Sequence, residues 1–394
     1  MAKAVEEAVQ MKVAILHYWF LLNGGGENVV DALLELFPEA DVFCLFADKG
    51  SVPKQLSPER LKVSYLSKIP FAKKMNRVMF PLYPGAIGSF DFSGYDLVLS
   101  SDSPPIKGVV TPVDTVHISY CHTPGRFIWD LAPEFTASLP WYLRGVFASL
   151  AAHARTTDFV DAQRVTQFIA NSEYVKKRIS HFYRRDSIVI YPPVNTSSGY
   201  IADRTDDYYL SAGRLVGTKR IEILIEACNR LGRRLLIVGA GRESDRLRAI
   251  AGPTIEFTGR VSDEQLWDYY ARCRAFLFAA EEDFGIVPLE AQACGRPVIA
   301  YGRGGSLETV RVGDRIGSQD TGVFFDRQDP ESVIEAILRF ESKEHSFSPR
   351  EIQKHAKQFD KATFKSRMRD VIESYCSDSQ EKRDQNVAVM SAAK

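Results

Sequence analysis

The chain has 394 residues, 45% of them hydrophobic and 25% charged, which excludes a largely disordered or fibrous chain and, at roughly 100–200 residues per domain, points to two domains. Its 50 Lys and Arg balance its 50 Asp and Glu, so a globally basic nucleic-acid binder is not expected. The six cysteines (Cys44, Cys121, Cys228, Cys273, Cys294 and Cys376) form no Cys-x-x-Cys pair and mostly sit in apolar runs such as Val42–Phe46, the pattern of buried free thiols in a reducing compartment.

Residues 1–10 carry glutamates and no apolar core, so they read as an extension and not a signal peptide. No run of 18 apolar residues is present to span a membrane, and the expectation is a cytoplasmic protein. Val13–His17 reads as a buried strand, Asn23–Gly26 as a loop, Glu27–Phe37 as a helix with Val29, Val30, Leu33, Leu34 and Phe37 on one side, and Asp41–Phe46 as a second strand. From Arg60 to Phe90 there are six basic residues, Arg60, Lys62, Lys68, Lys73, Lys74 and Arg77, no acidic one, and interleaved Phe71, Met75, Val78, Met79 and Phe80. Two readings stay open there: a core helix with a solvated basic edge, or an interfacial surface for anionic lipid.

Leu97–Ser101 and Val116–Tyr120 are short apolar strands with polar ends, and Arg164–Ala170 leads into Asn171-Ser172, a strand end and helix cap. Tyr191-Pro192-Pro193 breaks the pattern, and the polar stretch Asn195–Asp207 reads as a linker. The alternation then restarts: strand Tyr208–Ala212, helix Arg220–Leu231, strand Leu235–Val238, short strand Glu256-Phe257, helix Asp263–Arg272, strand Ala275–Phe278, helix Pro288–Cys294 stopped at Gly295, and strand Pro297–Tyr301. Lys361–Tyr375 is a last amphipathic helix, and 377–394 a frayed tail. Short apolar strands alternating with helices argue two parallel α/β halves, with ligands at the carboxyl ends of the strands and so in the cleft between domains.

The strongest motif is Glu282-Asp283-Phe284-Gly285-Ile286-Val287-Pro288-Leu289-Glu290, which follows a strand. Pro288 suits a first helical position, the free amides near Phe284, Gly285, Ile286 and Val287 would bind an anion, and Gly285 permits close approach of a ligand. Two carboxylates, Glu282 on the loop and Glu290 in the first turn, flanking phosphate-binding amides suit a ligand with hydroxyls on both sides of a diphosphate: a nucleotide sugar. Arg214 and Lys219, five apart after the first strand of the second half, are placed to converge on phosphates. Gly24, Gly25 and Gly26 open the first helix without the Gly-Lys-Ser/Thr of a P-loop. His122 follows a strand end, with Arg126, Trp129 and Asp130 around it as a polar and aromatic set fit for sugar. Gly239-Ala240-Gly241 lacks the third glycine of a dinucleotide fingerprint and Glu256 is too close to serve as its ribose acid, so no nicotinamide site is expected. The sequence holds no Asp-x-Asp, no His-x-x-x-His and no Cys cluster, so no metal is expected, and no other cofactor is expected.

The Glu282–Glu290 segment, its continuation Ala291–Tyr301, the stretch Gly304–Val310 and Gly322–Phe325 resemble the Glu-x7-Glu region of the retaining glycosyltransferases of family 4, similar to bacterial mannosyltransferases that build O-antigen and exopolysaccharide. The resemblance covers about Lys12 to Tyr375. It implies the GT-B fold, α/β with two facing Rossmann-like domains: an acceptor-side domain over 11–195, a nucleotide-sugar domain over 208–360, a helix over 361–376 crossing back onto the first domain, and a flexible tail. It also implies roles. Glu290 would bind the nucleotide ribose and Glu282 the donor sugar, while Arg214 and Lys219 hold the diphosphate as leaving group. His122 would lie near the donor sugar, Gly24–Gly26 would face the donor, Gly239 would turn beside it, and Gly259-Arg260 would meet the base. Arg126 and Trp129 are acceptor-side candidates. The resemblance alone selects GDP-mannose as donor, ahead of UDP-sugars, with a glycan or lipid-linked acceptor at the inner face of the plasma membrane; a nucleotide-sugar epimerase or hydrolase is the competing reading.

Overall fold

Residues 11–21, 24–48, 50–76, 78–313 and 316–392 are described by a computed structural model, with side chains through 377. The expected extension over 1–10, Asn23 of the glycine loop and Arg77 of the basic stretch lie outside the described residues. The chain forms two units, one of residues 1–191 and 364–394, the other of residues 192–363.

In the first unit, β1 (Val13–Phe20), β2 (Asp41–Ala47), β3 (Leu61–Val63), β4 (Leu97–Asp102), β5 (Val116–Cys121), β6 (Gln167–Ala170) and β7 (Ser187–Val189) make one parallel sheet in the order β3-β2-β1-β4-β5-β6-β7. Side chains alternate across a strand. Val13 and Ile15 therefore join Val29, Leu33, Val42 and Leu99 on one face, and Ala14 and Leu16 join Phe43, Leu45, Ile87 and Val98 on the other. Burial on both faces is why these strands read as continuous apolar runs. Winding reverses between the neighbours β1 and β4, the point at which doubly wound sheets bind ligands.

The first face is closed by Phe364, Met368 and Ile372, which form one stripe of the helix Lys361–Ala392. That helix does not give way to a tail at 377: its backbone stays helical to Ala392, because the stretch from Ser377 on holds neither Gly nor Pro and is rich in Gln, Glu, Lys, Arg and Ala.

The second unit repeats the plan with β8 (Tyr209–Ala212), β9 (Leu235–Val238), β10 (Ile255–Gly259), β11 (Phe276–Phe278), β12 (Val298–Tyr301) and β13 (Gly322–Phe325) in the order β10-β9-β8-β11-β12-β13. Its winding reverses between β8 and β11. The stretch read as a linker is not loose. Val194 bridges to Asp360, the Thr196 hydroxyl donates to the Asp360 carboxylate, and a Cβ on Gly199 would stand 2.5 Å from the Ala293 carbonyl oxygen.

Two further expectations change. Arg164 ends a long helix, Trp141–Arg164, instead of opening a strand. Arg60–Phe90 is neither a core helix nor a continuous amphipathic one; it runs through β3, short 3-10 turns and the helix Tyr83–Gly88. Pro70, Pro81 and Pro84 punctuate it. All six cysteines are free thiols, five of them buried.

Candidate functional site

The loops after β8, β9, β10 and β11 carry, in turn, Arg214 and Lys219, Gly239, Arg260, and Glu282. Three of these loops are stitched together by backbone: Gly213 N–H donates to Val238 O (3.0 Å), Leu215 N–H to Ala240 O (3.1 Å) and Gly239 N–H to Gly259 O (2.8 Å). Gly239 has φ +128°, and a Cβ there would stand 2.0 Å from Gly213 O. Its glycine is therefore dictated by loop-to-loop contact. Arg214 and Arg260 are exposed at the ends of this platform. Glu256 is engaged at the sheet edge by the Arg234 guanidinium, 2.8 Å away.

Lys219, in the turn Gly217–Lys219, forms an ion pair with Glu282 across the β8/β11 reversal and lies 5.9 Å above the Phe278 ring. Burial, and secondly the adjacent Arg214 guanidinium, push its ammonium down to about 8. The Glu282 carboxylate on which it rests opposes that shift, since a contacting opposite charge favours the charged form. Glu282 is itself fixed through its backbone, its carbonyl accepting from Gly305 N–H at 2.8 Å.

Gly285, with φ +93°, caps the helix Ile286–Ala293. The left-handed backbone, more than ligand approach, requires glycine here. The helix starts two residues earlier than expected, so Pro288 is its third residue; the lost N–H is still one of the four that a helix leaves unpaired. The Phe284 side chain is buried against the Phe359 ring, centroids 5.8 Å apart, so this residue has only its backbone to offer a ligand. Ile286 and Val287 are half-buried.

Glu290 is the fifth helical residue, one turn in. Burial raises its carboxyl to about 7, with the Asp263 charge adding and a hydrogen bond from Tyr270 opposing. That bond, Tyr270 Oη to Glu290 Oε2 at 2.9 Å, makes the buried Tyr270 a residue of the site that sequence reasoning missed.

In the first unit the reversal between β1 and β4 holds a second polar group. Gly25 and Gly26 begin the helix Gly25–Leu36 and Gly24 caps it. A Cβ on Gly26 would stand 3.2 Å from His17 Cε1 and 3.5 Å from His122 Nε2, so the glycine loop lies directly on two imidazoles. Ser101 Oγ is 2.8 Å from His122 Nε2 and 3.2 Å from His17 Nδ1. Glu27 Oε2 accepts from Gly24 N–H at 3.1 Å, and its other oxygen stands 3.9 Å from His17 Nε2. Burial, and then the His17 charge, lower the His122 imidazole to about 3, so it is neutral.

The loop after His122 is clamped from below. Asn171 Nδ2 donates to His122 O (2.9 Å), and Arg178 reaches Thr123 Oγ1 (3.2 Å), Pro124 O (3.0 Å) and the Asp130 carboxylate. Arg126 donates to Tyr174 Oη at 3.0 Å. Trp129 is anchored inward: its indole N–H donates to Asp158 at 2.8 Å and its ring stacks on Phe182 at 4.8 Å. It also lines a cavity of about 500 Å³ with Pro133, Thr136, Arg144 and Arg155.

The basic stretch is less basic than its sequence: Arg60 pairs with Glu39 at 2.6 Å and Lys73 with Asp48. What stands out is apolar. Phe71 is 74% exposed and Trp141 80%, alongside exposed Met75, Val78, Tyr142 and Val146. A run of ring contacts, Phe80–Phe127 (5.1 Å), Phe127–Phe135 (6.4 Å) and Phe135–Phe147 (5.0 Å), joins the two stretches. Neither 60–90 nor 135–157 contains an acidic residue. Among the described residues no helix is long and apolar enough to cross a membrane.

Two family models match the chain end to end with each other: Glycosyltransferase Family 4 over residues 23–198 and Glycosyl transferases group 1 over residues 197–365. A GDP-mannose-dependent monoacylated alpha-(1-6)-phosphatidylinositol monomannoside mannosyltransferase of Corynebacterium glutamicum is 34% identical over 141 residues, 32% of this chain and 35% of that protein. The alpha-1,3/1,6-mannosyltransferase of Homo sapiens is 30% identical over 262 residues, 56% of this chain and 58% of that protein. The chain thus spans less than two thirds of the length of the curated relatives it matches. Among solved structures, the Anabaena protein HepE in complex with UDP and glucose superposes with a TM-score of 0.67 at 17% identity, covering 92% of this chain and 100% of that one.

Proposed function

The chain belongs to the glycosyltransferases of family 4 and has their GT-B fold, and from that premise we propose that it is a retaining hexosyltransferase that moves mannose from GDP-mannose to a glycan or lipid-linked saccharide. The observation that carries this reading is the Lys219–Glu282 pair beside Arg214 at the β8/β11 reversal. It supplies two cations for a departing diphosphate and a carboxylate for sugar hydroxyls. The diphosphate takes the place of the Glu282 carboxylate on Lys219, and Glu282 is freed to accept from the sugar. Glu290, steadied by Tyr270, accepts from the ribose hydroxyls. Cations at the leaving oxygens stabilise charge that develops only as the glycosidic bond breaks. The similarity to GDP-mannose-dependent enzymes supports the donor, and no step in this scheme requires a metal.

The test is turnover by the full chain of a donor panel (GDP-mannose, UDP-glucose, UDP-galactose) with a lipid-linked mannoside acceptor, followed by mass spectrometry, with NMR of the product linkage. An α-linked mannoside from GDP-mannose is expected; a β-linkage defeats the retaining assignment, and transfer from UDP-sugars alone defeats the donor. The rate with pH is expected to be bell-shaped. Glu290, raised to about 7, binds hydroxyls as the carboxylate and loses acceptor capacity below that pH. Lys219, lowered to about 8, loses its charge as pH rises through that value. A flat profile across pH 6–9 (about one unit either side of these two values) contradicts the assignment of both groups.

We also propose that the first unit rests on an anionic bilayer through the apolar surface of 60–90 and 135–157. Exposed aromatics beside an acid-free, weakly basic chain suit the lipid interface. Wild type is expected to co-sediment with phosphatidylglycerol vesicles, only partly released by salt, and Phe71→Ser/Trp141→Ser to remain in solution. Equal sedimentation of the two, or none by wild type, rejects the surface.

A further inference from the structure

The helix Trp141–Arg164 carries Arg144, Arg155 and Arg164, and their surroundings differ. Arg164 pairs with Asp161 at 2.9 Å. Arg144 and Arg155 meet no carboxylate among the described residues. Backbone carbonyls hold them instead: Arg144 donates to Leu139 O and Ala137 O, both at 3.0 Å, and Arg155 to Ile128 O at 2.9 Å. A guanidinium has five N–H donors, so each keeps more than half of them for a ligand, in a fork already oriented and with its charge uncompensated.

Both arginines line the cavity of about 500 Å³ beside Trp129. On their helix Arg144, Ala148, Ala151 and Arg155 recur at i, i+4, i+7 and i+11, which is one face, and a rise of 1.5 Å per residue sets the two arginine Cα atoms about 16 Å apart. Between the cations this wall is therefore alanine. The facing helix Ala132–Ser138 presents Ala132, Pro133 and Ala137, and small side chains on both walls leave the space open. None of the lining residues is acidic. The groove also has a direction. Its Arg155 end is tied to the loop that follows His122, through Ile128 O and through the bond from Trp129 to Asp158. Its Arg144 end lies within a turn of the exposed Trp141 and Tyr142. A trough of alanines offers a saccharide few hydrogen bonds and a small anion no contact at all, whereas an alkyl chain with an anionic head uses both the trough and the guanidinium.

We propose that this groove binds a lipid phosphate, its oxygens on the Arg155 guanidinium and the first part of its chain along Ala151 and Ala148 toward Trp141. Only the source of the lipid rests on the glycosyltransferase reading, on which the phosphate is the one that joins lipid to saccharide in the acceptor; the fit of a chain and an anion to the groove does not.

The test is calorimetric titration of the full chain, without vesicles or nucleotide sugar, using octyl phosphate below its micellar concentration, octanol, and inorganic phosphate. Octyl phosphate is expected to bind at least about tenfold more tightly than either of the other two, because it alone satisfies both parts of the groove. Arg155→Leu should weaken it about tenfold or more, as for one lost charge-assisted contact, and Arg155→Lys, which keeps the charge without the fork, should recover part of the loss. Ala148→Phe leaves both arginines and fills the trough, and should weaken octyl phosphate to a similar extent; Ala148 is exposed, so this variant serves where loss of the Arg155–Ile128 bond disturbs the loop. Inorganic phosphate binding as tightly as octyl phosphate would make this a free-anion site, and octanol binding as tightly would make it a plain apolar patch; either overturns the proposal. So does an octyl phosphate affinity unchanged in both Arg155→Leu and Ala148→Phe. Octyl phosphate held as expected by a protein that turns over no nucleotide sugar upholds the groove and overturns the function, whereas transfer to a lipid-linked mannoside by a protein that does not bind octyl phosphate overturns the groove alone.

Discussion

Lys219→Ala is expected to lower kcat at saturating donor by about 10²–10³-fold, the range seen when one preorganised electrostatic contact to a developing oxyanion is removed. Two facts set the size. The ammonium is held at a strand end by its turn and by Glu282, so little reorganisation is needed when phosphate arrives. It is also only partly solvated, its side chain 21% exposed, so water cannot replace it well in the variant. Stability should change little, because Glu282 keeps access to solvent once its partner is gone and partly exposed pairs contribute modestly. Initial rates at saturating donor, beside a thermal melt, make the measurement. Turnover within threefold of wild type would remove Lys219 from the leaving-group role. Lys219→Arg keeps the charge and should recover part of the rate.

The second large effect is on folding. Lys107 is fully buried with Asp102 and Asp158, its ammonium pairing with Asp158 and lying 3.5 Å from Asp102. Burial penalises its charge, but the two carboxylates outweigh that and raise its pKa, while burial raises Asp102 to about 6 against the pull of Lys107. Asp158 further accepts from Trp129 Nε1 (2.8 Å) and Tyr183 Oη (2.9 Å). Lys107→Met leaves two carboxylates in the interior without their cation, and the expected loss is about 3–5 kcal/mol, read as an earlier urea transition of the first unit. A loss under about 1 kcal/mol, the scale of an exposed pair, would mean that water reaches the cluster. Because Asp102 O accepts from His122 N–H at 3.0 Å, the same cluster sets the height at which His122 leaves its strand.

The sheets were readable because strands buried on both faces leave apolar runs, and Arg214, Lys219 and Glu282 drew attention as candidates because each lies in the loop that follows such a run, Glu290 because it stands eight residues beyond Glu282. What escaped had no local signature. Proline suits a first helical position, so the helix was expected to begin at Pro288; the left-handed Gly285 caps it two residues earlier. The helix Trp141–Arg164 was missed because its apolar residues form no stripe: Trp141, Val146 and Leu150 are exposed. Residues that act through partners far along the chain were invisible, Ser101 being 84 residues from His17 and Tyr270 20 residues from Glu290. One clue was available in principle. A histidine at position 17, closing an otherwise apolar run, and Ser100-Ser101-Asp102 at the end of another are polar residues that a two-sided sheet does not bury without partners.

The stripe Phe364, Met368 and Ile372 fixes an order of events during synthesis. These residues complete the core formed by Ile15, Val29 and Leu33, yet some 330 residues separate the two sets, and the whole second unit is translated in between. Domains commonly fold as they emerge, the N-terminal one first; here that order is inverted. The second unit is contiguous and has all its strands in hand by Phe325, whereas the first must wait, with that face of its sheet covered only in part by the helix Gly25–Leu36, until the helix from Lys361 is made. A chain truncated after Thr363 would therefore hold the whole second unit beside a first unit that lacks the stripe completing one face of its sheet, and it is the earlier-made half that should need a chaperone.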